Sequence, residues 1–148
     1  MRILLFTLIF PCLLFTTSCR DPEETALQRL EKRDYGFAIS DFHQAAADGD
    51  DVAVREFLAA GMKADVEAAD GTTAFHQALS NRHDDVALIL LEAGAHPDQR
   101  ITKGRTALME VATRTGDDLQ LLDTLLAKGA DPRAVDANGM TAMMAASL

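Results

Sequence analysis

The chain has 148 residues, 48% of them apolar, and a formal net charge of −9. It is long enough for one compact domain or one short repeat array, and its acidic charge repels phosphate backbones, which argues against nucleic-acid binding. Its two cysteines, Cys12 and Cys19, lie near the N-terminus, so the part from Arg20 onward has no thiol for an internal disulfide.

Residues 1–18 have the layout of an export signal. Arg2 provides a positive start, and an apolar run from Ile3 to Phe15 follows with few interruptions. This run is shorter than the roughly 20 residues that a helix needs to span a bilayer. We therefore predict a cleaved signal peptide over residues 1–18.

The end of this segment, Thr16-Thr17-Ser18-Cys19, resembles the lipobox of bacterial lipoproteins. The resemblance implies that Cys19 becomes the lipidated first residue of the mature protein, although Thr16 stands where the family usually has Leu. Cleavage after Ser18 without lipidation is the alternative, and it would release a soluble exported protein. By the same resemblance, Arg20 favours the outer membrane over the inner one.

Residues 19–37 join this anchor to the rest of the chain and contain one predicted helix. Pro22 lies near its start, acidic residues fill its first turn and basic residues its last, an order that suits the helix dipole. Its apolar stripe is limited to Ala26, Leu27 and Leu30. We predict a short helix that caps the following domain, with a free tether as the alternative.

Two motifs recur in step along the rest of the chain. The first has the form Gly-x-Thr-Ala and carries Thr73, Thr106 and Thr141 (106 − 73 = 33; 141 − 106 = 35). The second ends in a glycine, and its copies are separated by the same two distances: Gly61, Gly94 and Gly129. Two independent motifs with the same spacing indicate a structural repeat.

Residues 38–148 resemble the ankyrin family in their period and in two motifs, Thr73-Ala74-Phe75-His76 and the Leu-Leu-x-x-Gly-Ala-Asp of residues 125–131. The resemblance implies an all-α solenoid of about three and a half helix-turn-helix repeats joined by β-turn loops. Its repeats would cover residues 38–69 as a degenerate cap, then 70–102, 103–137 and, in part, 138–148.

A hydroxyl residue precedes each predicted first helix, where its oxygen can accept a backbone N–H of the first turn. We therefore predict N-caps at Ser40, Thr73, Thr106 and Thr141. The glycines of the second motif would end the second helices in a left-handed turn. By the resemblance, His43 and His76 each bond the cap hydroxyl and a neighbouring loop, a structural role that we prefer to metal binding.

Two places depart from the repeat. Arg82 stands where a turn glycine is expected between two helices, which costs stability if its φ is positive. The third repeat is two residues longer than the second (35 − 33 = 2), around residues 113–116. We expect its helix–helix loop to bulge there.

Acidic pairs recur near the start of each predicted second helix: Asp50-Asp51, Asp84-Asp85 and Asp117-Asp118. Stacking would align them into an acidic ridge that could attract a cation or a basic partner, but acids also suit helix N-termini, and we prefer that interpretation. From Arg20 onward the sequence lacks a phosphate-binding Gly-Lys-Ser/Thr loop, a Gly-x-Ser-x-Gly elbow and a Cys/His dyad. We therefore expect neither an enzyme nor a bound cofactor or metal.

The resemblance implies that a partner protein binds the turn tips and the first-helix face on the concave side. Mapped onto this sequence, the partner-binding candidates are Asp70, Thr72, Asn81, Thr102, Lys103, Arg105, Arg114, Asn138 and Met140. Within the third repeat, Arg105 and Arg114 join Arg100 and Lys103 in a basic patch on an acidic chain. We hypothesise that an acidic segment of the partner docks on this patch, and the alternative is that these are solvated surface charges.

Taken together, these patterns predict a non-catalytic protein–protein interaction module that is exported to the bacterial cell envelope. It would face the periplasm and be held at a membrane by a lipid on Cys19. Two further functions stay open: an immunity or inhibitor protein for an envelope toxin or enzyme, and a structural accessory of an envelope complex. The partner and the oligomeric state do not follow from the sequence.

Overall fold

The structure, a computed structural model, describes residues 22–100, 102–114 and 119–147. The predicted signal peptide, Cys19 and the Asp117-Asp118 pair lie outside these residues. So does most of the longer loop predicted for the third repeat, of which only the beginning, up to Arg114, is described.

Within the described residues the chain forms eight α-helices and one 3-10 turn at Thr102–Gly104. The helices are α1 Pro22–Glu31, α2 Ile39–Asp48, α3 Asp51–Ala59, α4 Ala74–Ser80, α5 Asp84–Glu92, α6 Ala107–Ala112, α7 Leu119–Ala127 and α8 Ala142–Ala146. They pair as α2 with α3, α4 with α5 and α6 with α7, and the pairs stack on one another. The predicted all-α repeat solenoid is confirmed.

We call the first helices of the repeats, α2, α4, α6 and α8, the inner helices, and α3, α5 and α7 the outer helices. Threonine side chains cap the N-termini of three of the four inner helices. The hydroxyl oxygens of Thr73, Thr106 and Thr141 each accept the backbone N–H three residues later at 3.4 Å. Each bond satisfies one of the N–H groups that a helix start leaves without an intrahelical partner. Helices α4, α6 and α8 therefore start at the same position of the repeat, each after an N-cap residue with an extended backbone.

Ser40 is not an N-cap, and that prediction is wrong. Helix α2 starts at Ile39, and its N-cap is Ala38, which has an extended backbone and no side-chain cap bond. The carbonyl oxygen of Ala38 already accepts the N–H of Phe42, so Ser40 lies inside the first turn and is exposed. The first inner helix starts early because it follows α1 and not the turn loop of a preceding repeat.

The turns between helices use left-handed residues. The three glycines that follow the second helices, Gly61, Gly94 and Gly129, have φ of 93°, 99° and 93°. Between the two helices of a repeat, Gly49 (φ 75°) and Arg82 (φ 61°) occupy equivalent positions (82 − 49 = 33). A side chain at Gly49 would meet the ring of His83 at 2.4 Å, so the close contact between these two repeats requires glycine there.

One continuous core runs through the stack. Its largest members, which include Phe42, Phe57, Phe75, Leu90 and Leu125, are fully buried between the inner and outer helices. Burying each large side chain stabilises the fold by roughly 1.5 to 3 kcal/mol. None of the helices in residues 22–100, 102–114 and 119–147 is long and apolar enough to cross a bilayer.

The two ends of the stack differ. At the N-terminal end α1 packs on α3 and buries Ala26 and Leu30. At the other end α8 packs on α6 but has no second helix over it among the described residues. Met143 is therefore 83% exposed, whereas Leu108, its equivalent one repeat earlier (143 − 108 = 35), is 3% exposed.

Candidate protein-binding surface

Three turn tips project from the stack, each centred on a left-handed glycine. Gly71, Gly104 and Gly139 have φ of 79°, 73° and 77°. The second tip differs from the other two because Lys103, directly before its glycine, is left-handed as well. The residues on either side of these glycines form a set that we call the tip row: Asp70, Thr72, Lys103, Arg105, Asn138 and Met140.

Two grooves lie beside the tip row and repeat one another. The first, of about 360 Å³, is lined by Asp70, Gly71, Thr72, His76, Gln77, Ser80 and Arg100. The second, of about 280 Å³, is lined by Lys103, Arg105, Met109, Thr113, Asp136, Asn138, Met140 and Ala145. Four lining positions of the first groove recur in the second one repeat later, for example Ser80 and Thr113 (113 − 80 = 33). The grooves are therefore successive copies of one surface with different side chains.

Aspartate side chains hold two of the tips. Oδ1 of Asp70 accepts the N–H and the hydroxyl of Thr72 at 3.0 and 2.7 Å, and the Thr72 hydroxyl is the largest cause of a lowered pKa of Asp70. Oδ1 of Asp136 accepts the N–H groups of Asn138 and Met140 at 2.8 and 2.9 Å, and the bond from Met140 is the largest cause of a lowered pKa of Asp136. Both carboxylates are charged at neutral pH, and both loops are set before any partner arrives.

The tip of the third repeat is tied to the loop that follows it. Nη1 of Arg100 donates to the carbonyl oxygens of Gly104 at 3.0 Å and Val135 at 2.9 Å, and the N–H of Ala137 donates to the oxygen of Lys103 at 3.1 Å. Lys103 itself has a positive φ of 63°, and its side chain is exposed. Its ammonium group forms no ion pair within the described residues.

Arg114 does not belong to this surface, and the prediction that it binds a partner is wrong. Its side chain is 3% exposed and forms an ion pair with Asp84 of the preceding repeat. It also donates to the carbonyl oxygen of Leu79. The Arg114 side chain extends over the preceding repeat because that repeat places the carboxylate of Asp84 and the carbonyl oxygen of Leu79, near the end of α4, within its range. The basic patch is thereby reduced to Arg100, Lys103 and Arg105, of which Arg105 is paired with Glu110 at 3.2 Å.

Comparison with protein-family models decides the family. The model of ankyrin repeats in three copies matches residues 21–101, and the model of the single ankyrin repeat matches residues 103–137. The chain belongs to the ankyrin repeat family. A comparison with curated proteins found no matching relative. Ankyrin proteins are typically non-catalytic modules that bind other proteins, and this places the tip row and its grooves in a protein–protein interaction module.

The two histidines of the ankyrin motif make different structural contacts, His43 with the loop that follows its repeat and His76 with its own N-cap. Nε2 of His43 donates to the carbonyl oxygen of Val66 at 3.1 Å, which lies in the loop that leads to the next repeat. His76 accepts the N–H of Thr73 on Nδ1 at 3.1 Å and completes a capping box. Burial lowers the pKa of His76, against opposing contributions from the Gln99 backbone and Glu67. His76 is therefore neutral at pH 7 and acts structurally.

Two other candidates of the ankyrin surface are described in part. The side chain of Asn81 is exposed and donates to the carbonyl oxygen of Gln77 at 2.9 Å, at the end of α4. The backbone of Thr102 begins the 3-10 turn of the second tip, and its side chain is not described. Asn81 lies at the far end of the inner helix from the tips, so the structure does not bring it into the tip row.

The acidic pairs of the ankyrin stack are partly used inside the protein. Asp50 caps α3 by accepting the N–H of Ala53 at 2.9 Å and pairs with Arg33 at 2.7 Å, while Asp84 pairs with Arg114. These carboxylates serve helix starts and contacts between elements. Within the described residues, no three His, Cys, Asp or Glu side chains form a group that could hold a metal ion.

Proposed function

We infer that this ankyrin stack binds a partner protein on the tip row and the two grooves beside it, and that it does so without catalysing a reaction. One observation carries this proposal. Each of the three tips is centred on a left-handed glycine, with φ between 73° and 79°, and yet the tips present different chemistry. A repeated scaffold whose side chains differ from tip to tip is suited to recognition.

Hydrogen bonds within the chain also order the backbone of the tips before a partner binds. The loops of Asp70 and Asp136 are closed by their own hydrogen bonds, and the second tip, at Gly104, is fixed by Arg100. Little backbone freedom remains to be lost when a partner binds, so more of the contact energy is available as affinity.

The second part of the proposal concerns the location of the protein in the cell. We propose that the protein is exported to the bacterial envelope and faces the periplasm, with a lipid on Cys19 that anchors it to the outer membrane. Export is supported by the order of a basic residue, Arg2, an apolar run and the small residues Thr16-Thr17-Ser18 before Cys19, which is the layout of a signal peptide. Few residues separate Cys19 from α1, which starts at Pro22, so an anchored protein would hold its first repeat close to the membrane.

Site-specific photocrosslinking in the native cells tests the binding surface. A photoreactive residue at Asn138 should capture a discrete protein, whereas the same residue at Gln120, which is exposed on the outer helix α7, should capture none. Equal capture from both positions, or capture from Gln120 alone, would contradict the proposed surface.

Fractionation of a Cys19→Ala variant tests the anchor. The unaltered protein should sediment with outer-membrane vesicles, and the variant should not. If both proteins remain soluble after export, cleavage without lipidation is correct and the anchor is rejected, while the binding surface is unaffected.

A further inference from the structure

The tip row changes its chemistry in order along the stack. The first tip carries Asp70 and Thr72, the second Lys103 and Arg105, and the third Asn138 and Met140. An acid is thus followed by bases and then by an amide and a thioether. No two tips are alike, so a partner can meet all three correctly in one direction only.

We propose that the tip row binds one extended segment of the partner in a fixed direction. A basic residue of that segment lies opposite Asp70, an acidic residue lies between Lys103 and Arg105, and an apolar residue enters the groove beside Met140. This rests on the proposed function, because it specifies the partner segment for the same surface.

The charges at the first two tips are available to a partner. Asp70 is exposed, and its hydrogen bonds to Thr72 use one oxygen, Oδ1. Lys103 is exposed and forms no ion pair within the described part of the chain. Arg105 is 32% exposed beside Glu110, so it adds positive charge to the site but is partly neutralised.

The side chains that line the two grooves determine which kind of partner residue lies at the third tip. The first groove has Gln77 and Ser80 along its inner helix. The second has partly exposed Met140 at its tip, above the buried side chains of Met109 and Ala145, so it is more apolar than the first. Methionine is flexible and polarisable and adapts to apolar side chains of different shape. The apolar residue of the partner therefore belongs at the third tip.

The spacing of the tips gives the length of the segment. Packed helices lie about 8 to 10 Å apart. A chain in the extended polyproline II conformation has three residues per turn and advances about 3.1 Å per residue, so every third side chain lies on the same face, about 9 Å from the last. Neighbouring tips are therefore about three residues apart along the partner, and the three tips need a segment of about seven residues in this conformation. The expected pattern is a basic residue, two of any kind, an acidic residue, two of any kind and an apolar residue.

The net charge of the chain favours this mixed pattern over a uniformly acidic one. The protein carries −9 in total, and a segment with many carboxylates would be repelled everywhere except at the second tip. A single acid flanked by a base and an apolar residue avoids that repulsion.

Fluorescence anisotropy with synthetic peptides tests the proposal on the full-length protein in detergent micelles. The probe is a labelled peptide with the core Lys-Ser-Ser-Glu-Ser-Ser-Leu, compared with the same residues in reverse order. The forward peptide should bind about tenfold more tightly than the reversed one, since reversal places a cation at the apolar groove and Leu at Asp70. Equal binding, or no binding of the forward peptide, overturns the proposal.

A charge exchange tests the pairing at the first tip. Asp70→Lys should weaken the binding of the forward peptide about tenfold. Replacing the peptide's Lys by Glu should restore binding to this variant. Asp65→Lys is the matched control, because it makes the same charge change at an exposed residue outside the tip row, and it should have no such effect. If Asp65→Lys weakens binding as much, or if the exchanged peptide gives no rescue, the specific pairing is rejected.

The two proposals fail in different ways. If Asn138 captures a protein in cells but peptide direction and charge exchange have no effect, the directional inference is wrong and the binding surface stands. If Asn138 captures nothing, the binding surface itself is wrong.

Discussion

Arg114→Ala should destabilise the protein more than the loss of any exposed charge. The Arg114 side chain is 3% exposed and that of Asp84 is 25% exposed. Breaking a buried ion pair from one side costs about 3 to 5 kcal/mol, because it leaves an uncompensated charge. Since water can still reach part of Asp84, we expect a value near the lower limit, about 3 kcal/mol, which includes the lost hydrogen bond to Leu79. That is a large part of the about 5 to 15 kcal/mol that stabilises a typical domain.

Urea unfolding followed by circular dichroism at 222 nm measures this change. Arg105→Ala is the control: its side chain is about one-third exposed in a 3.2 Å pair with Glu110, so its removal should cost less than about 1 kcal/mol. A double-mutant cycle with Asp84→Asn should return a coupling energy of about 1 kcal/mol or more. Equal shifts for the two arginine variants, or additive effects in the cycle, would refute the inference that Arg114 links the second and third repeats.

Three further predictions use the same assay. Thr106→Ala removes an observed cap and should cost about 1 kcal/mol, whereas Ser40→Ala, which removes none, should change stability by less than about 0.5 kcal/mol; equal costs would contradict the cap assignment. Burial lowers the pKa of His76 below its ordinary 6.5, so the unfolded chain binds protons more readily and stability should fall as pH drops from 7 to 5; His76→Gln should flatten that decline and exposed His96→Gln should not. Leu30→Ala, at a residue 1% exposed, should cost about 2 to 5 kcal/mol, and a smaller loss would mean that α1 is not part of the core.

The repeat could be predicted from the sequence because each of its signals is local. A threonine three residues before a backbone N–H, as at Thr73, and a glycine after a helix, as at Gly94, act within one turn of the chain. Their regular recurrence is enough to identify the stack. The failure at Ser40 has the same origin, since its place in the repeat is correct but the preceding α1 changes how the chain enters the helix.

The burial of Arg114 and its contacts with the preceding repeat could not be predicted from such local signals. Its partners, Asp84 and Leu79, are 30 and 35 residues away in sequence, and they come into range only when two repeats stack. In a one-dimensional pattern a loop arginine looks exposed. The residues directly before the turn glycines could be predicted as surface residues from the sequence, and Asp70, Lys103 and Asn138 are exposed. The grooves beside the tip row could not be predicted, because their depth depends on how neighbouring repeats pack against each other.

The exposure of α8 has a consequence for the order in which the described helices open. Each repeat of a solenoid is stabilised by its neighbours, and Met143 and Met144 are 83% and 54% exposed. We therefore expect α8 to open most often, and its amide hydrogens to exchange fastest among the helices. Met140 directly precedes Thr141, the N-cap of α8, so a partner bound at Met140 would stabilise the start of this helix. Binding should then slow the exchange of its amide hydrogens.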